Sequence, residues 1–273
     1  MKDLRFADYF LFTQHSLSTF DNCPLKFRKR YLEGLKWDSF PDERVKKRLE
    51  RGNNFHLLAH RYFMGVPTGL DQGTEEFGEL NEWMECLERE FKKEPFVTYL
   101  PEYKLRMVTD PLKLEANFDL IAINEDRIEI WDWKTHGDMQ GKNRAALSKR
   151  FETSLQTVVY MFVLKEQLPI LIGSPIESEK ICMCYWQPDR PHLLAKINYS
   201  DELHERFRQI LEQKIRGVLE YDYAGFEKAL FSKHCKYCEF NWFCNNDKVD
   251  FEAMEEDEDF LDTLDWDSIE EKY

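Results

Sequence analysis

The segment Arg127–His136, RIEIWDWKTH, constrains this sequence more than any other. Its isoleucines and tryptophans predict a strand, and side chains along a strand alternate between faces. Ile128, Ile130, Asp132 and Lys134 therefore share one face, with Glu129, Trp131, Trp133 and Thr135 on the other. Two opposite charges thus follow two isoleucines on a face that a sheet would bury, where desolvation is expensive. Such a strand needs a sheet around it and a purpose for its charges.

The surrounding pattern supplies the sheet. Phe96–Val108, Leu112–Ile123 and Arg127–Thr135 read as three strands joined by the short turns Thr-Asp-Pro and Asn-Glu-Asp. Glu179–Trp186 and Leu193–Tyr199 read as two more. Upstream, Ser16-Leu-Ser-Thr offers N-caps for a helix running to about Tyr31 and ended by Gly34. Asp42 to about Met64 predicts a second helix, basic first and apolar later, and Gly65–Gly73 a loop. In Glu75–Lys93, residues Phe77, Leu80, Trp83, Met84, Leu87 and Phe91 recur at helical spacing. Phe151–Leu168 and Asp201–Glu220 complete the helices. Strands grouped centrally between helices give an α/β (or α+β) class with a mixed sheet. The expected organisation is a helical region over 1–95, a core over 96–222, a cysteine cluster over 223–249 and an acidic tail over 250–273.

Asp119, in EANFDLIAI, lies one strand before Asp132 and Lys134. If the two strands pair as a hairpin, two carboxylates and a lysine converge. Adjacent carboxylates repel unless a divalent cation neutralises them. A lysine beside them can orient or deprotonate a water, or stabilise charge developing on a phosphate. The pattern suits metal-assisted phosphodiester hydrolysis, and it equally suits a surface ion pair at a strand end.

Asp119 followed by Asp132-Trp133-Lys134-Thr135 resembles the core of the PD-(D/E)XK nucleases, in their RecB-like form. The remaining motifs of that family follow the same order. Gly52-Asn-Asn-Phe-His56 resembles the upstream Gly-x-x-x-His motif, and the resemblance makes His56 a metal ligand with His60 as a spare one turn on. Gln156-Thr-Val-Val-Tyr160 resembles the Gln-x-x-x-Tyr motif on the helix after the core. Glu102, in LPEYKLRM, sits where these nucleases often carry a strand glutamate. The resemblance implies Mg²⁺ or Mn²⁺ held by Asp119, Asp132, His56 and the Trp133 carbonyl, with Lys134 on the attacking water. Gln156 and Tyr160 would arrange the phosphate or support Lys134. One departure is Ala116-Asn117-Phe118, where relatives often have a glycine.

His234-Cys235-Lys-Tyr-Cys238-Glu-Phe-Asn-Trp-Phe-Cys244 gives a C-x₂-C-x₅-C pattern, with Cys23 available as a distant fourth thiolate. Four thiolates suit structural zinc or an iron–sulfur cluster. Joining the two ends of the chain through one centre would constrain the unfolded state strongly. Cys23-Pro followed by an aromatic and basic helix resembles the opening of iron–sulfur RecB-like nucleases, which implies a [4Fe–4S] cluster on Cys23, Cys235, Cys238 and Cys244. Cys86, Cys182 and Cys184 are expected at core or edge positions.

The net charge of −14 argues against nucleic acid until its distribution is seen. Asp250–Tyr273 alone carries −11, the remainder only −3, and Cys23–Arg51 is +5. The basic runs KFRKRYLEGLKW and RVKKRLERG interleave cations with Phe27, Tyr31 and Trp37, a mixture that serves single-stranded nucleic acid. The acidic tail reads as disordered or as a docking peptide for a protein partner. No leader or 18-residue apolar run is read from the sequence, so the expected location is the cytoplasm, where thiols stay reduced. The expected function is a metal-dependent DNA exonuclease preferring single strands or strand ends, in DNA repair, recombination or CRISPR-related processing. The alternative is a non-catalytic DNA-binding or assembly subunit built on the same scaffold.

Overall fold

The computed structural model describes residues 3–7, 9–35, 43–70, 77–135, 144–188 and 192–250. Trp37 and the tail from 251 onward lie outside them. Five strands form one sheet in chain order: β1 Thr98–Thr109, β2 Leu112–Ile123, β3 Ile128–Trp133, β4 Ile181–Gln187 and β5 His192–Asn198. The pairs β1–β2, β2–β3 and β4–β5 are antiparallel, while β3–β4 is parallel. A parallel step needs a crossover. Here it contains α5, Arg144–Glu152, and α6, Leu155–Ile172. The mixed sheet flanked by helices is the class expected from the sequence.

Two apolar clusters clothe the sheet. On one face, α6 packs with α7 (Asp201–Glu220) and α1 (Gln14–Asn22) over Leu114, Phe118, Ile128, Ile130, Met183 and Tyr185. On the other, α3 (Glu43–Met64) and α4 (Gly78–Glu90) bring Phe55, Phe63, Trp83 and Leu87 onto Leu120, Trp133 and Trp186. Each such side chain contributes roughly 1.5–3 kcal/mol on full burial. The two tryptophans of the WDW segment therefore point away from its aspartate, as strand alternation requires.

Helix α6 is apolar all round because both of its sides are covered, by the sheet and by α7. Ser154 caps its start by accepting from Thr157 N–H, and Gly173, at φ 74°, ends it in the left-handed region. By length and composition α6 could cross a membrane, which the sequence reading had excluded, but Val158–Leu164 and Leu168 are buried in the protein core.

Two helices expected as continuous are broken. Cys23 is extended, at φ −166° and ψ 109°, and separates α1 from α2, Pro24–Phe27. A residue before proline is driven out of the helical region, and Pro24 instead starts the next helix at a position where its missing N–H costs nothing. A π-helical turn, Arg28–Leu32, follows. Likewise, the helix expected from Phe151 is two: α5 ends at Glu152, and Ser154 caps α6 afresh.

A change of phase in the hairpin β1–β2 prepares the site. Leu112, Leu114, Ala116 and Phe118 face α6, yet beyond Asp119 it is Ile121 that faces α6 and Leu120 that faces α3. Across the hairpin, Leu105 and Met107 face α6, with Tyr103 beside them, whereas Tyr99 packs on the α3 side. Both strands switch where Glu102 stands opposite Asp119, between the pairs Pro101↔Leu120 and Tyr103↔Phe118. Glu102 has φ 46°, a left-handed backbone uncommon outside glycine and costing of order 1–3 kcal/mol.

Candidate active site

The face of β3 that carries Ile128 and Ile130 ends on Asp132, which is buried, and Lys134 lies just past the strand end. Lys134 Nζ is 2.9 Å from Asp132 Oδ1 and donates to Gln156 Oε1 at 2.9 Å. The Gln156 amide in turn donates through Nε2 to Asp132 Oδ2. The amide suits this place because it turns its carbonyl toward the cation and its NH₂ toward the anion. A glutamate there would meet Asp132 with like charge. Burial pushes the Asp132 carboxyl up; Lys134 opposes this and Asp119 adds to it. Asp132 Oδ1 is buried with no hydrogen-bond partner of good geometry, despite the ammonium beside it.

Asp119 joins β2 to β3, its Oδ2 accepting from Trp133 N–H at 2.7 Å. Its other oxygen faces α3, where His56 Nδ1 lies 3.4 Å from Oδ1. The same Nδ1 is 3.9 Å from Glu102 Oε1, and Asn117 Nδ2 donates to the other Glu102 oxygen at 3.5 Å. Ligand atoms of His56, Glu102 and Asp119 all lie within 4.8 Å of one another. Burial works against a charge on His56, but Asp119 and Glu102 outweigh it and hold the pKa well above the ordinary imidazole value. The arrangement therefore calls for positive charge between its carboxylates. Together with the under-bonded Asp132 oxygen, this donor set fits a hard divalent cation.

All of these groups open onto one cleft of about 510 Å³, lined also by Trp133, Tyr160 and His60. Tyr160 is mostly buried and packs its ring on Phe118, with centroids 4.9 Å apart. Every core residue singled out in the sequence thus reaches the same place, Glu102 included.

One wall of the cleft lies outside the residues predicted from sequence. Thr13, Gln14 and His15 bring the start of α1 to the cleft, and Asn53, Lys104, Glu115 and Asn117 also line it. Gln14 and His15 precede the serines expected as caps; the observed cap is Thr13, whose side chain accepts from Ser16 N–H in a capping box. Phe12 fixes that helix start against β2, donating to Lys113 O at 2.8 Å and accepting from Glu115 N–H at 2.9 Å. Such long-range pairing leaves no local mark in the sequence.

At the far end of α1, Cys23, Cys235, Cys238 and Cys244 line a second, smaller cavity. A 3₁₀ segment, Lys228–Tyr237, carries Cys235 and ends on Cys238, and the short helix α8, Asn241–Asn245, carries Cys244. Burial raises the Cys23 thiol, and Cys235 and Cys244 add to the shift. Burial also pushes Cys238 up to about 12. Beside them Glu239 is buried and meets Lys26 Nζ at 2.8 Å and Arg30 Nη2 at 2.7 Å. Burial opposes the Glu239 charge, but Lys26 and Arg30 outweigh it and hold its carboxyl below the ordinary range. Part of the basic run expected to meet nucleic acid is thus engaged within the protein, since Arg28 also pairs with Glu33 at 2.7 Å. Cys182 and Cys184 are buried in β4, as expected for core positions.

A family description, the PD-(D/E)XK nuclease superfamily, matches residues 11–111 and 93–245. No curated protein matches the chain. Among solved structures, a candidate exonuclease from Eubacterium rectale is similar at 14% identity and a TM-score of 0.49, over 82% of this chain and 85% of that one. The protein SSO0001 is similar at 15% identity and a TM-score of 0.34, over 86% of each chain.

Proposed function

Since the chain belongs to the PD-(D/E)XK nuclease superfamily, we propose that it is a metal-dependent DNA exonuclease acting on single strands or strand ends. One observation carries this reading. The cleft joins a His–Glu–Asp ligand group to a triangle of buried Asp132 with half-buried Lys134 and Gln156, so cation ligands and a held ammonium face the same space.

Asp119, Asp132, His56 and the Trp133 carbonyl would hold Mg²⁺ or Mn²⁺, with Glu102 as a further ligand. Bound there, the cation supplies neutralising charge and Lewis acidity toward a phosphodiester. The nitrogen donor favours Mn²⁺. Lys134 positions the attacking water and faces the charge that develops on the phosphate. Gln156 keeps that ammonium in register with Asp132, so its role is support of the lysine. Tyr160 lines the path of the strand. The cleft wall of His15, Tyr31 and Lys104 offers a ring, an imidazole and a cation to a single strand.

The four cysteines would hold a [4Fe–4S] cluster, which joins the region around Cys23 to the C-terminal segment. Their donor set suits it, and burial raises the thiols of Cys23 and Cys238, which a bound cation would bring down. Iron and sulfide analysis of anaerobically purified protein separates the cluster from zinc, and a colourless, zinc-loaded protein decides for zinc. The acidic tail is proposed to dock a protein partner.

The functional reading is tested with end-labelled single- and double-stranded DNA in Mn²⁺. Wild-type protein is expected to shorten the single strand from an end, and Lys134→Ala to leave it intact. A wild-type protein that binds DNA without cutting it would establish the scaffold alternative.

A further inference from the structure

Lys134 has a third neighbour that the catalytic reading leaves unused. Tyr185 stands on β4 opposite Asp132 in the parallel register, and it is fully buried. The Lys134 ammonium lies 5.3 Å from the centroid of its ring. That is within the range where a cation is drawn to the negative face of an aromatic ring, an attraction that strengthens when water is excluded.

The ring is itself held on two sides. Phe151 stacks on it, with centroids 4.1 Å apart and planes 20° from parallel. The Tyr185 hydroxyl lies 2.7 Å from Thr157 Oγ1 and 3.5 Å from Ser154 Oγ. Thr157 spends its own proton on Phe151 O at 2.6 Å, so the tyrosine is the donor between them. Burial raises the Tyr185 pKa, which keeps that donor proton in place. Ser154 and Thr157 belong to the capped first turn of α6, and Gln156 lies between them.

We propose that Tyr185 is the positioning residue of the catalytic lysine. Its ring seats the Lys134 ammonium, and its hydroxyl ties that seat to the helix turn from which Gln156 reaches the same ammonium. Asp132 holds the ammonium from β3 and Gln156 holds it from α6; the ring adds a contact from β4. The first turn of α6 and β4 thereby set one atom between them. This inference rests on the nuclease reading above.

The test varies the electron density of the ring at nearly constant volume. Tyr185 is replaced by phenylalanine, then by 4-fluoro-, 3,5-difluoro- and 3,4,5-trifluorophenylalanine. For each, kcat and KM are measured on labelled single-stranded DNA in Mn²⁺, together with Tm. Fluorine drains the ring face, so kcat is expected to fall stepwise, about tenfold from phenylalanine to the trifluoro ring, with KM and Tm nearly constant. A purely structural role moves Tm once, on loss of the hydroxyl, and leaves kcat flat across the fluorinated series; that result overturns the inference. If Lys134→Ala remains fully active, the catalytic reading itself fails. An inactive Lys134→Ala beside a flat fluorine series removes only the role of Tyr185. A wild-type protein that cleaves nothing overturns both.

Discussion

The cleft and the cysteine cavity lie at opposite ends of α1, and they are built on different terms. In the cleft, each charged group has a polar partner within the fold, although Asp132 Oδ1 and the His56–Glu102–Asp119 group still suit a cation. Lys134 and Gln156 hold Asp132, Trp133 N–H holds Asp119, and His56 stands between Asp119 and Glu102. The carboxylates rise from a sheet with an apolar cluster on each face. Around the cysteines the backbone is a 3₁₀ segment and a five-residue helix, and burial raises the thiols Cys23 and Cys238. There, Glu239 with Lys26 and Arg30 provides the ion pairs between the two chain ends. A site of the first kind keeps its shape when it loses a member. A site of the second kind would draw its stability from a bound ligand. Loss of function without loss of fold is therefore expected in the cleft, and the reverse at the cysteines.

The largest effect tests the first half of that contrast. Lys134→Ala should lower cleavage by about 10³-fold or more, since a positioned charge facing the transition state is worth several kcal/mol. Its Tm should fall only slightly, because Asp132, left without the ammonium, can take up a proton and the sheet beneath is untouched. A large drop in Tm would mean that the cleft is held together by its polar groups and is no different from the cysteine site.

Next in size is Cys23→Ser. If the four thiolates share a bound centre, losing one should cost about 3 kcal/mol, or roughly 6–12 °C in Tm for a chain of this length. Iron content should fall with it. Adding Mn²⁺ should not restore the lost stability, because the cleft is the other site. A Tm that does not move would show that the cavity needs no ligand.

How much of this contrast is legible in the sequence differs between the two sites for a physical reason. Strand alternation and helical periodicity are local, so the strands and the opposed faces of Asp132 and Trp133 follow from spacing, whereas the approach of Asp119 to the end of β3 required the hairpin that β2 and β3 form. His56 and the Gln156–Tyr160 pair were found by motif order, and the structure brings both to the cleft. Glu102 could be placed on a strand, but its left-handed backbone and the phase switch it shares with Asp119 depend on pairing across the hairpin. The break at Cys23-Pro24 did have a local signal, in the proline, which the reading of one long helix overrode. Glu239 with Lys26 and Arg30 had none, because its partners lie some two hundred residues away and basic runs ordinarily face water.

That ion-pair group gives the third prediction. Glu239→Gln keeps the shape but removes the charge that Lys26 and Arg30 face, and should cost about 2 kcal/mol. The pH dependence has a definite sign. Lys26 and Arg30 hold the Glu239 carboxyl below its ordinary value of 4.5, so the folded state binds its proton less readily than the unfolded chain. Its contribution is complete above about pH 4.5 and fades as the pH falls through the lower folded-state value. Thermal unfolding from neutral to acid pH should show wild type and Glu239→Gln converging on the acid side. Parallel curves would mean that the charge of Glu239 does not hold the chain ends together.

The smallest effect is the most discriminating, because α1 spans both sites. Gln14 and His15 at its start line the cleft, and Asn22 and Cys23 at its end line the cysteine cavity. Thr13→Ala removes the side-chain half of the capping box and should cost about 1 kcal/mol. If the two sites are independent, that loss appears in Tm while kcat and cysteine accessibility to a thiol reagent stay as they were. If α1 transmits strain between them, fraying its first turn loosens His15 at one end and exposes Cys23 at the other. The thiol-modification rate should then rise together with KM. Measuring both on the same variant shows whether the helix merely separates two unlike sites or couples them.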